Sequence, residues 1–293
     1  MPTAPPIVLS IAGFDPSSGA GVTADIKTAA AHGCYAVACI TALTIQSTAG
    51  VRRVVPLEPE LVTSTLVELA TDFEISAVRI GTLGSAQVAA TVADFLERAE
   101  LEKVVLDPVL KSSSGATLLG AEGVVILRER LLPLATVITP NLDEASALLG
   151  MPVTNLGEMR TAAHRLHEIG AENVVITGGD FQEGSDKGKL DRATDLLSFL
   201  SPQGKFEQQV FKAERQRSRS THGTGCAYAM AIACHLAHGR ALSEAVLLAK
   251  AFVAAAIANA HPLGRGIGPI NHLYRMNQPP RRVVAHVDPE PVG

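Results

Sequence analysis

The stretch IVLSIAGFDPSSGAGVTADIKTAAAHG, residues 7–33, holds the first strand, a glycine loop and the first helix of the fold that the sequence predicts. Residues 7–13 form a short apolar run typical of a buried strand. Residues 20–33 repeat apolar positions at the helical period and end on glycine, which often terminates helices. A strand that leads directly into a helix is the unit from which parallel sheets are built.

This unit repeats along most of the chain. Further short strand-like runs occur at 36–43, 76–81, 103–107, 136–140 and 173–179. Helical patterns occur at 61–72, 85–100, 123–135, 141–150, 159–170, 224–237 and 243–259. Two alternating runs between 181 and 220 predict antiparallel strands at the sheet edge. We therefore expect an α/β fold with a mostly parallel sheet covered on both faces.

Composition favours a protein that acts on small molecules. The 293 residues are 47% hydrophobic with a formal net charge of −4, so a large core is expected and a basic nucleic-acid surface is not. Trp is absent and aromatic residues make up 4%, which leaves few side chains to stack on bases. No run approaches the ~18 apolar residues of a membrane span. We expect neither nucleic acid nor membrane as a partner.

The cysteines and the first residues indicate a reducing compartment. Four cysteines are present and none forms a C-x-x-C pair. The opening sequence MPTAPPIVLSIAGFDP lacks the basic start and the long apolar run of a signal peptide. We therefore expect a cytoplasmic protein without disulfides.

Small and polar residues follow every predicted strand. They are Gly13-Phe14-Asp15, Gln46, Gly81-Thr82, Asp107-Pro108, Asn141 and Gly178-Gly179-Asp180. Ligands of parallel α/β sheets bind beyond the carboxyl ends of the strands. The sequence therefore predicts one site at this edge.

Two glycine turns lead into helices and could bind an anion. The first, residues 12–21, matches neither G-x-G-x-x-G nor the Walker pattern, so a structural turn is an equal alternative. Asp25, four residues into the helix, could accept from a substrate hydroxyl or favour the positive helix end. The second turn, STHGTGC at 220–226, would aim the amides of Gly223–Cys226 at a ligand.

Cys226 lies in the first turn of the second of these helices. There a thiol is either a base or hydrogen-bond partner, with its pKa lowered by the helix, or a small residue chosen for packing. Cys34, Cys39 and Cys234 lie in apolar patterns and are expected in the core.

Asn141 and Glu144 are three residues apart and allow two interpretations. An amide and a carboxylate, together with Asp107 at a strand end, suit hydrated Mg²⁺ and phosphate. The alternative is an N-cap residue with its capping-box partner. The histidine pairs 164/167 and 235/238 are expected on solvated helix faces, since no third ligand is near in sequence.

Seven motifs in order resemble the ribokinase-like superfamily, and within it the hydroxymethylpyrimidine and phosphomethylpyrimidine kinases of thiamin biosynthesis. They are IAGFDPSSGAGVTADIKT, CITALTIQST, IGTL, LDPVLKSSSG, ITPNLDEASALLG, STHGTGCAYAMAIAC and GRGIGPINH. The resemblance runs from about residue 7 to 271. It implies a single domain over 1–293 with an extended tail from about 279, a three-layer α/β/α sandwich, ATP and Mg²⁺, and a homodimer.

The resemblance also implies residue roles. Asp25 and Gln46 would bind the pyrimidine, in a pocket lined by Ala20, Thr44, Thr82 and Val109. Gly223, Thr224, Gly225 and Cys226 would form the anion hole, with Cys226 as the proposed base. Asp107 and Glu144 would hold the metal. The nucleotide and its phosphates would meet Asn141, Thr177, Gly178, Lys111, Lys250 and Gly266.

Three departures from the family pattern bear on the substrate. Thr177 and Asp180 replace the usual Lys and His after the sixth strand, which removes a positive charge. Thr82 makes the base pocket more polar, and Lys111 could supply the missing charge. The expected activity is phosphorylation of the hydroxymethylpyrimidine, its monophosphate, or both. Two alternatives stay open, a pyridoxal kinase and a non-catalytic pyrimidine sensor.

Overall fold

A computed structural model describes residues 4–179, 192–201 and 203–277. Its strands are β1 (Ile7–Phe14), β2 (Tyr35–Ser47), β3 (Gly50–Pro56), β4 (Ile75–Ile80), β5 (Val104–Leu106), β6 (Val137–Ile138), β7 (Val174–Gly178), β8 (Arg192–Leu200) and β9 (Phe206–Glu214). They form a nine-stranded sheet in the order β3-β2-β1-β4-β5-β6-β7-β8-β9. From β2 to β7 all neighbours in this order are parallel.

The two edges of the sheet are antiparallel. β8 and β9 form the pair predicted between 181 and 220, and β8 runs against β7. At the other edge, β2 turns back into β3, a strand that the sequence patterns did not reveal. β3 was missed because its VRRVV segment is partly exposed on both faces and has no clean alternation.

Helices cover both faces. The helices are α1 (Gly21–Ala31), α2 (Pro59–Asp72), α3 (Ala86–Ala99), α4 (Ala121–Ile126), α5 (Leu132–Leu134), α6 (Leu142–Leu149), α7 (Leu156–Glu168), α8 (Thr224–Ala237) and α9 (Leu242–Ala258). A π-helical turn, Leu127–Leu131, joins α4 to α5. Ser85 caps α3 as predicted, by accepting a hydrogen bond from the Val88 amide.

Two apolar layers fill the space between sheet and helices. One joins the sheet to α2–α7, and the other joins it to α1, α8 and α9. Alternate residues of one strand enter opposite layers, as Leu9 and Val8 do, because side chains alternate along a strand. The predicted three-layer α/β/α sandwich with a mostly parallel sheet is confirmed.

The single-domain assignment stays a prediction. The tail from about 279 and Asp180 lie outside the described residues. None of the helices in the described part of the chain is both long and apolar enough to cross a bilayer.

Candidate active site

A cavity of about 470 Å³ opens at the carboxyl edge of the parallel strands. It brings together fourteen of the eighteen residues predicted for the site. These are Ala20, Thr44, Gln46, Thr82, Asp107, Val109, Lys111, Asn141, Glu144, Thr177, Gly223, Thr224, Gly225 and Cys226. Residues that are far apart in the chain meet here because parallel strands carry their carboxyl ends to one edge.

The two glycine turns pack backbone against backbone. Gly21 and Gly223 both have positive φ, +59° and +83°. A Cβ at Gly223 would collide with the carbonyl of Gly19, and one at Gly21 with the carbonyl of Gly13. Only glycine combines the left-handed backbone with this close approach. The start of α8 is thereby fixed against the start of α1.

The first glycine turn is organised around Asp15. Its carboxylate accepts hydrogen bonds from the Ser17 amide (2.8 Å) and hydroxyl (2.7 Å), and from the amides of Gly19 (3.1 Å) and Ala20 (2.9 Å). Burial raises the pKa of Asp15, but these bonds and His222 outweigh it and hold the pKa at about 2. The amides of Gly19 and Ala20 therefore serve an internal carboxylate, which supports the structural interpretation of this turn.

His222 links the loops around the cavity and was given no role from sequence, although it stands in the STHGTGC motif. Its Nε2 lies 2.8 Å from Asp15 Oδ2, and its Nδ1 lies 3.2 Å from Ser113 Oγ. Because a carboxylate only accepts, Nε2 carries the hydrogen and Nδ1 accepts from Ser113. The side chain is buried. The sequence feature that could have indicated the role of His222 is its position, as a polar residue, directly before a glycine turn.

Gln46 lies next to this histidine. Its amide nitrogen is 3.2 Å from His222 Nε2, and Thr44 Oγ1 is 3.2 Å from its Oε1. Since Nε2 already donates to Asp15, it cannot accept from the amide, and the favourable orientation turns the Gln46 amide by 180°. Gln46 is half-buried and faces the cavity.

A buried arginine lies beneath the cavity and was also missed. The guanidinium of Arg79, fully buried, pairs with Asp25 Oδ2 (3.0 Å) and with Asp107 Oδ2. Burial raises the pKa of both carboxylates, and the Arg79 charge counters it. A buried cation is tolerated when it is paired and hydrogen-bonded on several sides. Arg79 therefore sets the position of Asp107 on the cavity wall.

Asp25 does not lie where the resemblance placed it. It is fully buried, does not line the cavity, and accepts hydrogen bonds from Ser10 Oγ (2.6 Å) and Arg79. The structure therefore does not bring Asp25 to the cavity wall, and its contact with a substrate stays a prediction. Four residues into α1 its side chain points under the sheet edge, where it balances the arginine.

Cys226 lies on the cavity wall, partly exposed, at the start of α8. Burial raises its pKa to about 11, even though Arg79 acts in the opposite direction. The expectation that the helix N-terminus lowers this pKa is wrong, because desolvation and the nearby carboxylates Asp107 and Asp25 outweigh the dipole. The thiol is therefore protonated at neutral pH.

The capping-box interpretation of Asn141 and Glu144 is confirmed, and the magnesium interpretation stays a prediction. Asn141 Oδ1 accepts from the Glu144 amide (2.8 Å) and Glu144 Oε2 accepts from the Asn141 amide (2.9 Å), which is a complete capping box. Both residues also line the cavity, beside Thr177, which bridges to Asn141. Burial, followed by the charge of Asp107, raises the pKa of Glu144 to about 8. The carboxylate of Glu144, in the N-terminal cap of α6, is therefore near enough to Asp107 for the two charges to repel.

These two carboxylates fit a magnesium ion. Mg²⁺ takes one or two protein carboxylates and completes its shell with water and phosphate oxygens. A cation between Asp107 and Glu144 would remove the repulsion that raises the pKa of Glu144. No group of three or more His, Cys, Asp or Glu side chains suited to a metal occurs in the described ranges. The donor set therefore suits a metal shared with a ligand rather than a closed protein site.

Three further residues predicted to meet the nucleotide, Lys250, Gly178 and Gly266, do not line the main cavity. Lys250 is buried and pairs with Asp195 Oδ2 at 2.7 Å, and the Gly178 amide donates to Asp195 Oδ1 at 3.2 Å. Asp195 lies in the antiparallel strand β8, so the Lys250 ammonium and the Gly178 amide both bond to this strand. Gly266 lies against Thr48 and lines a smaller neighbouring cavity of about 120 Å³.

The chain matches proteins of one family over most of its length. The family model described as phosphomethylpyrimidine kinase matches residues 15–271. A hydroxymethylpyrimidine/phosphomethylpyrimidine kinase of Mycobacterium leprae is 39% identical, over 93% of this chain and 96% of the relative. The thiamine biosynthesis bifunctional protein ThiED of Geobacter sulfurreducens is 40% identical over 91% of this chain. The chain spans only about half, 52%, of that bifunctional protein.

Solved structures of two kinds resemble the fold. The ADP complex of Bacillus subtilis pyridoxal kinase has a TM-score of 0.82 and 33% identity, covering 94% of this chain and 100% of that one. The phosphomethylpyrimidine kinase of Clostridium difficile has a TM-score of 0.72 and 32% identity, covering 86% and 99%.

Proposed function

The chain belongs to the phosphomethylpyrimidine kinase family, and we propose that it transfers a phosphoryl group from ATP to 4-amino-5-hydroxymethyl-2-methylpyrimidine, to its monophosphate, or to both. It is a phosphotransferase of thiamin biosynthesis. One observation carries the proposal: a single cavity joins the Gln46 amide, the N-terminal turn of α8 and the carboxylates of Asp107 and Glu144. These are a ring-recognition group, an anion-binding turn and a metal-binding pair.

Gln46 would recognise the aminopyrimidine edge. A carboxamide offers one acceptor and one donor side, which match an amino group and a ring nitrogen. The Asp15–His222 pair would fix the amide from behind, and Ala20, Thr44, Thr82 and Val109 would surround the ring. Such support reduces the conformational freedom lost on binding.

The α8 turn would stabilise the transferring phosphoryl group. Phosphoryl transfer is mostly positioning and charge stabilisation, and the free amides of a helix N-terminus supply both. Cys226 would hold the substrate hydroxyl beneath the turn. Its pKa of about 11 supports this role over proton abstraction by a thiolate, since an alcohol loses its proton late in a loose transition state.

Asp107 and Glu144 would hold Mg²⁺, which would neutralise the phosphate charge of ATP. Asn141 and Thr177 line the same wall and would meet the phosphates. Lys111 is exposed, lines the cavity and makes no ion pair with any residue that the structure describes. It would supply the charge that Thr177 lacks and would favour the monophosphate as substrate.

Pyridoxal kinase is the second candidate. It is favoured by the resemblance of the fold to the Bacillus subtilis enzyme and to a Staphylococcus aureus pyridoxal kinase, TM-score 0.79 and 30% identity. Family membership favours the pyrimidine.

The test is ATP-dependent turnover of the pyrimidine, its monophosphate and pyridoxal on one preparation, with products identified by mass. We expect at least one pyrimidine to be phosphorylated with a higher kcat/KM than pyridoxal, and the variant Asp107→Asn to lose this turnover. Faster turnover of pyridoxal would select the second candidate. Tight pyrimidine binding without any ATP consumption would select a sensor.

We further propose a homodimer in the cytoplasm. The β2–β3 hairpin exposes Leu43, Ile45 and Val55, by 44%, 56% and 37%. This edge would be covered by a second copy. Light scattering of the variant Ile45→Lys would report a monomer where the parent protein is a dimer.

A further inference from the structure

A cluster of thiol and imidazole groups lies at the far ends of the two helices that begin at the cavity. α1 runs from Gly21 to Ala31 and α8 from Thr224 to Ala237. Cys34 follows α1, Cys234 lies in the last turn of α8, and His238 is its C-terminal cap. The kinase chemistry proposed above uses none of these groups.

The contacts within this cluster are specific. Cys34 Sγ lies 3.4 Å from His238 Nε2 and 3.9 Å from the carbonyl oxygen of Cys234. His238 Nε2 also lies 2.9 Å from the carbonyl oxygen of His32. Because a carbonyl only accepts, Nε2 carries its hydrogen, and it presents that hydrogen to the sulfur as well. The sulfur of Cys34 is therefore in direct contact with residue Cys234 through the main chain of α8.

The two thiols differ in character. The hydrogen bond from Cys234 lowers the pKa of Cys34, burial opposes this, and His238 lowers it further, to about 7. The same hydrogen bond and burial raise the pKa of Cys234. The thiolate is the reactive form of cysteine, so one member of the pair is nucleophilic and the other stays protonated.

Small reagents can approach Cys34. The residue is 7% exposed, whereas Cys234 is fully buried. Gly33, directly before it, is exposed with open space where a side chain would be, and His238 on the other side is exposed. The reactive sulfur is thus one layer below the surface, with its partner behind it.

We propose that Cys34 and Cys234 form a modification site that reacts with hydroperoxides and closes to a disulfide. The Cys34 thiolate attacks the outer oxygen of the peroxide, the O–O bond breaks, and an alcohol or water leaves after taking a proton. Cys34 is then a sulfenic acid. The Cys234 sulfur displaces its hydroxyl as water, and the S–S bond forms. Two thiols are oxidised by two electrons and one peroxide is reduced.

The experiment treats the full-length protein with hydrogen peroxide at neutral pH and maps peptides without reduction. We expect a Cys34–Cys234 cross-linked peptide that disappears after dithiothreitol. In Cys234→Ser, Cys34 should instead be trapped as a sulfenic acid by dimedone. In His238→Asn the initial rate should fall by about threefold or more, because less thiolate is present.

Cys39 provides the matched control. It is also buried, but its pKa is raised to about 12 by burial, and its thiol donates a hydrogen bond to the Val62 carbonyl at 3.7 Å. Cys39→Ser should therefore cross-link at the parent rate. Oxidation of Cys39 or Cys226 ahead of Cys34 would overturn the proposal, as would dimedone labelling of Cys34 without any cross-link in the parent protein. None of these readouts depends on kinase turnover.

Discussion

The two halves of the cavity are built differently. The substrate half is Ala20, Thr44, Gln46, Thr82 and His222. The phosphate half is Asp107, Lys111, Asn141, Glu144 and Thr177. In the substrate half, His222 is held by two residues outside it, Asp15 at 2.8 Å and Ser113 at 3.2 Å. In the phosphate half, two carboxylates repel and the pKa of Glu144 rises to about 8.

The polar groups of the substrate half are satisfied by the protein itself, whereas the charges of the phosphate half need a bound ligand to balance them. Polar groups already bonded in the right geometry need little rearrangement to bind a neutral ring. Carboxylates that face each other are relieved only by a proton or a cation. The phosphate half is therefore expected to depend on pH and on metal, whereas the substrate half is not.

Loss of Arg79 should have the largest effect, because this residue pairs with two buried carboxylates, Asp25 beneath the cavity and Asp107 on its wall. Arg79→Met would leave two buried carboxylates unpaired and lower the free energy of unfolding by about 3–5 kcal/mol. Urea denaturation measures this. Arg130→Met is the matched control, since Arg130 pairs with Asp94 and Glu97 at the exposed surface and its loss should lower the free energy of unfolding far less. Equal losses of the free energy of unfolding in the two variants would show that the buried triad of Arg79, Asp25 and Asp107 stabilises the fold no more than a surface ion pair does.

Removal of the Cys226 thiol should come next. Cys226→Ala should lower kcat by on the order of 10²-fold with little change in KM, because the thiol acts on the hydroxyl at transfer. Cys226→Ser, which keeps a hydrogen-bonding group, should recover part of the loss. Steady-state kinetics with the unphosphorylated pyrimidine measures both. A packing role would instead leave kcat unchanged and lower only the melting temperature.

Glu144 should make stability fall as pH rises. Its folded pKa of about 8 lies above its ordinary value of 4.5, so the folded state holds a proton that the unfolded state has released. This contribution is complete below pH 4.5 and is lost as pH rises through about 8. Glu144→Gln, which can keep the capping box, should remove a decline on the order of 5 kcal/mol across that window.

The titration of Asp15 does not add to the pH dependence of stability that is measured for Glu144. Its pKa is held at about 2, so its contribution is lost only as pH falls towards that value and is constant within the window. Denaturation at a series of pH values tests the prediction. A slope that is unchanged in Glu144→Gln would assign the decline to another group.

Lys111 should give the smallest effect, since it is exposed and screened by salt. Lys111→Ala should raise KM for the pyrimidine monophosphate by about fivefold and leave KM for the alcohol unchanged. Lys103→Ala, before β5 at the opposite end of that strand, is the control. Unchanged kinetics with the monophosphate would remove Lys111 from the phosphate half.

The sequence predicted the sheet and the cavity wall because both follow from local patterns. Each parallel strand had a short apolar run, and most wall residues followed such a run or stood in a glycine turn that leads into a helix. Arg79 and His222 were missed because their roles depend on partners 28 to 207 residues away, which no local pattern contains. The positions of Asp25 and Lys250 away from the cavity could not be predicted for a related reason. Each is buried against a pairing partner, Arg79 or Asp195, that is far away in the sequence.

The pKa of Cys226 also depends on residues that are far apart in the sequence, so its shift could not be predicted from the local pattern. A helix N-terminus can be read from sequence, and alone it would lower the pKa. Desolvation and the charge of Asp107 and Asp25 depend on the completed fold, and here they raise it. The direction of the shift could not be derived before packing was known.

Calorimetric titration of the apoprotein tests the central difference between the two halves most directly. The hydroxymethylpyrimidine and a non-hydrolysable ATP analogue are each titrated with and without Mg²⁺. The account predicts that the pyrimidine binds equally well in both conditions, whereas the analogue binds at least about tenfold more tightly with Mg²⁺. Pyrimidine binding that requires Mg²⁺, or analogue binding that ignores it, would contradict the account.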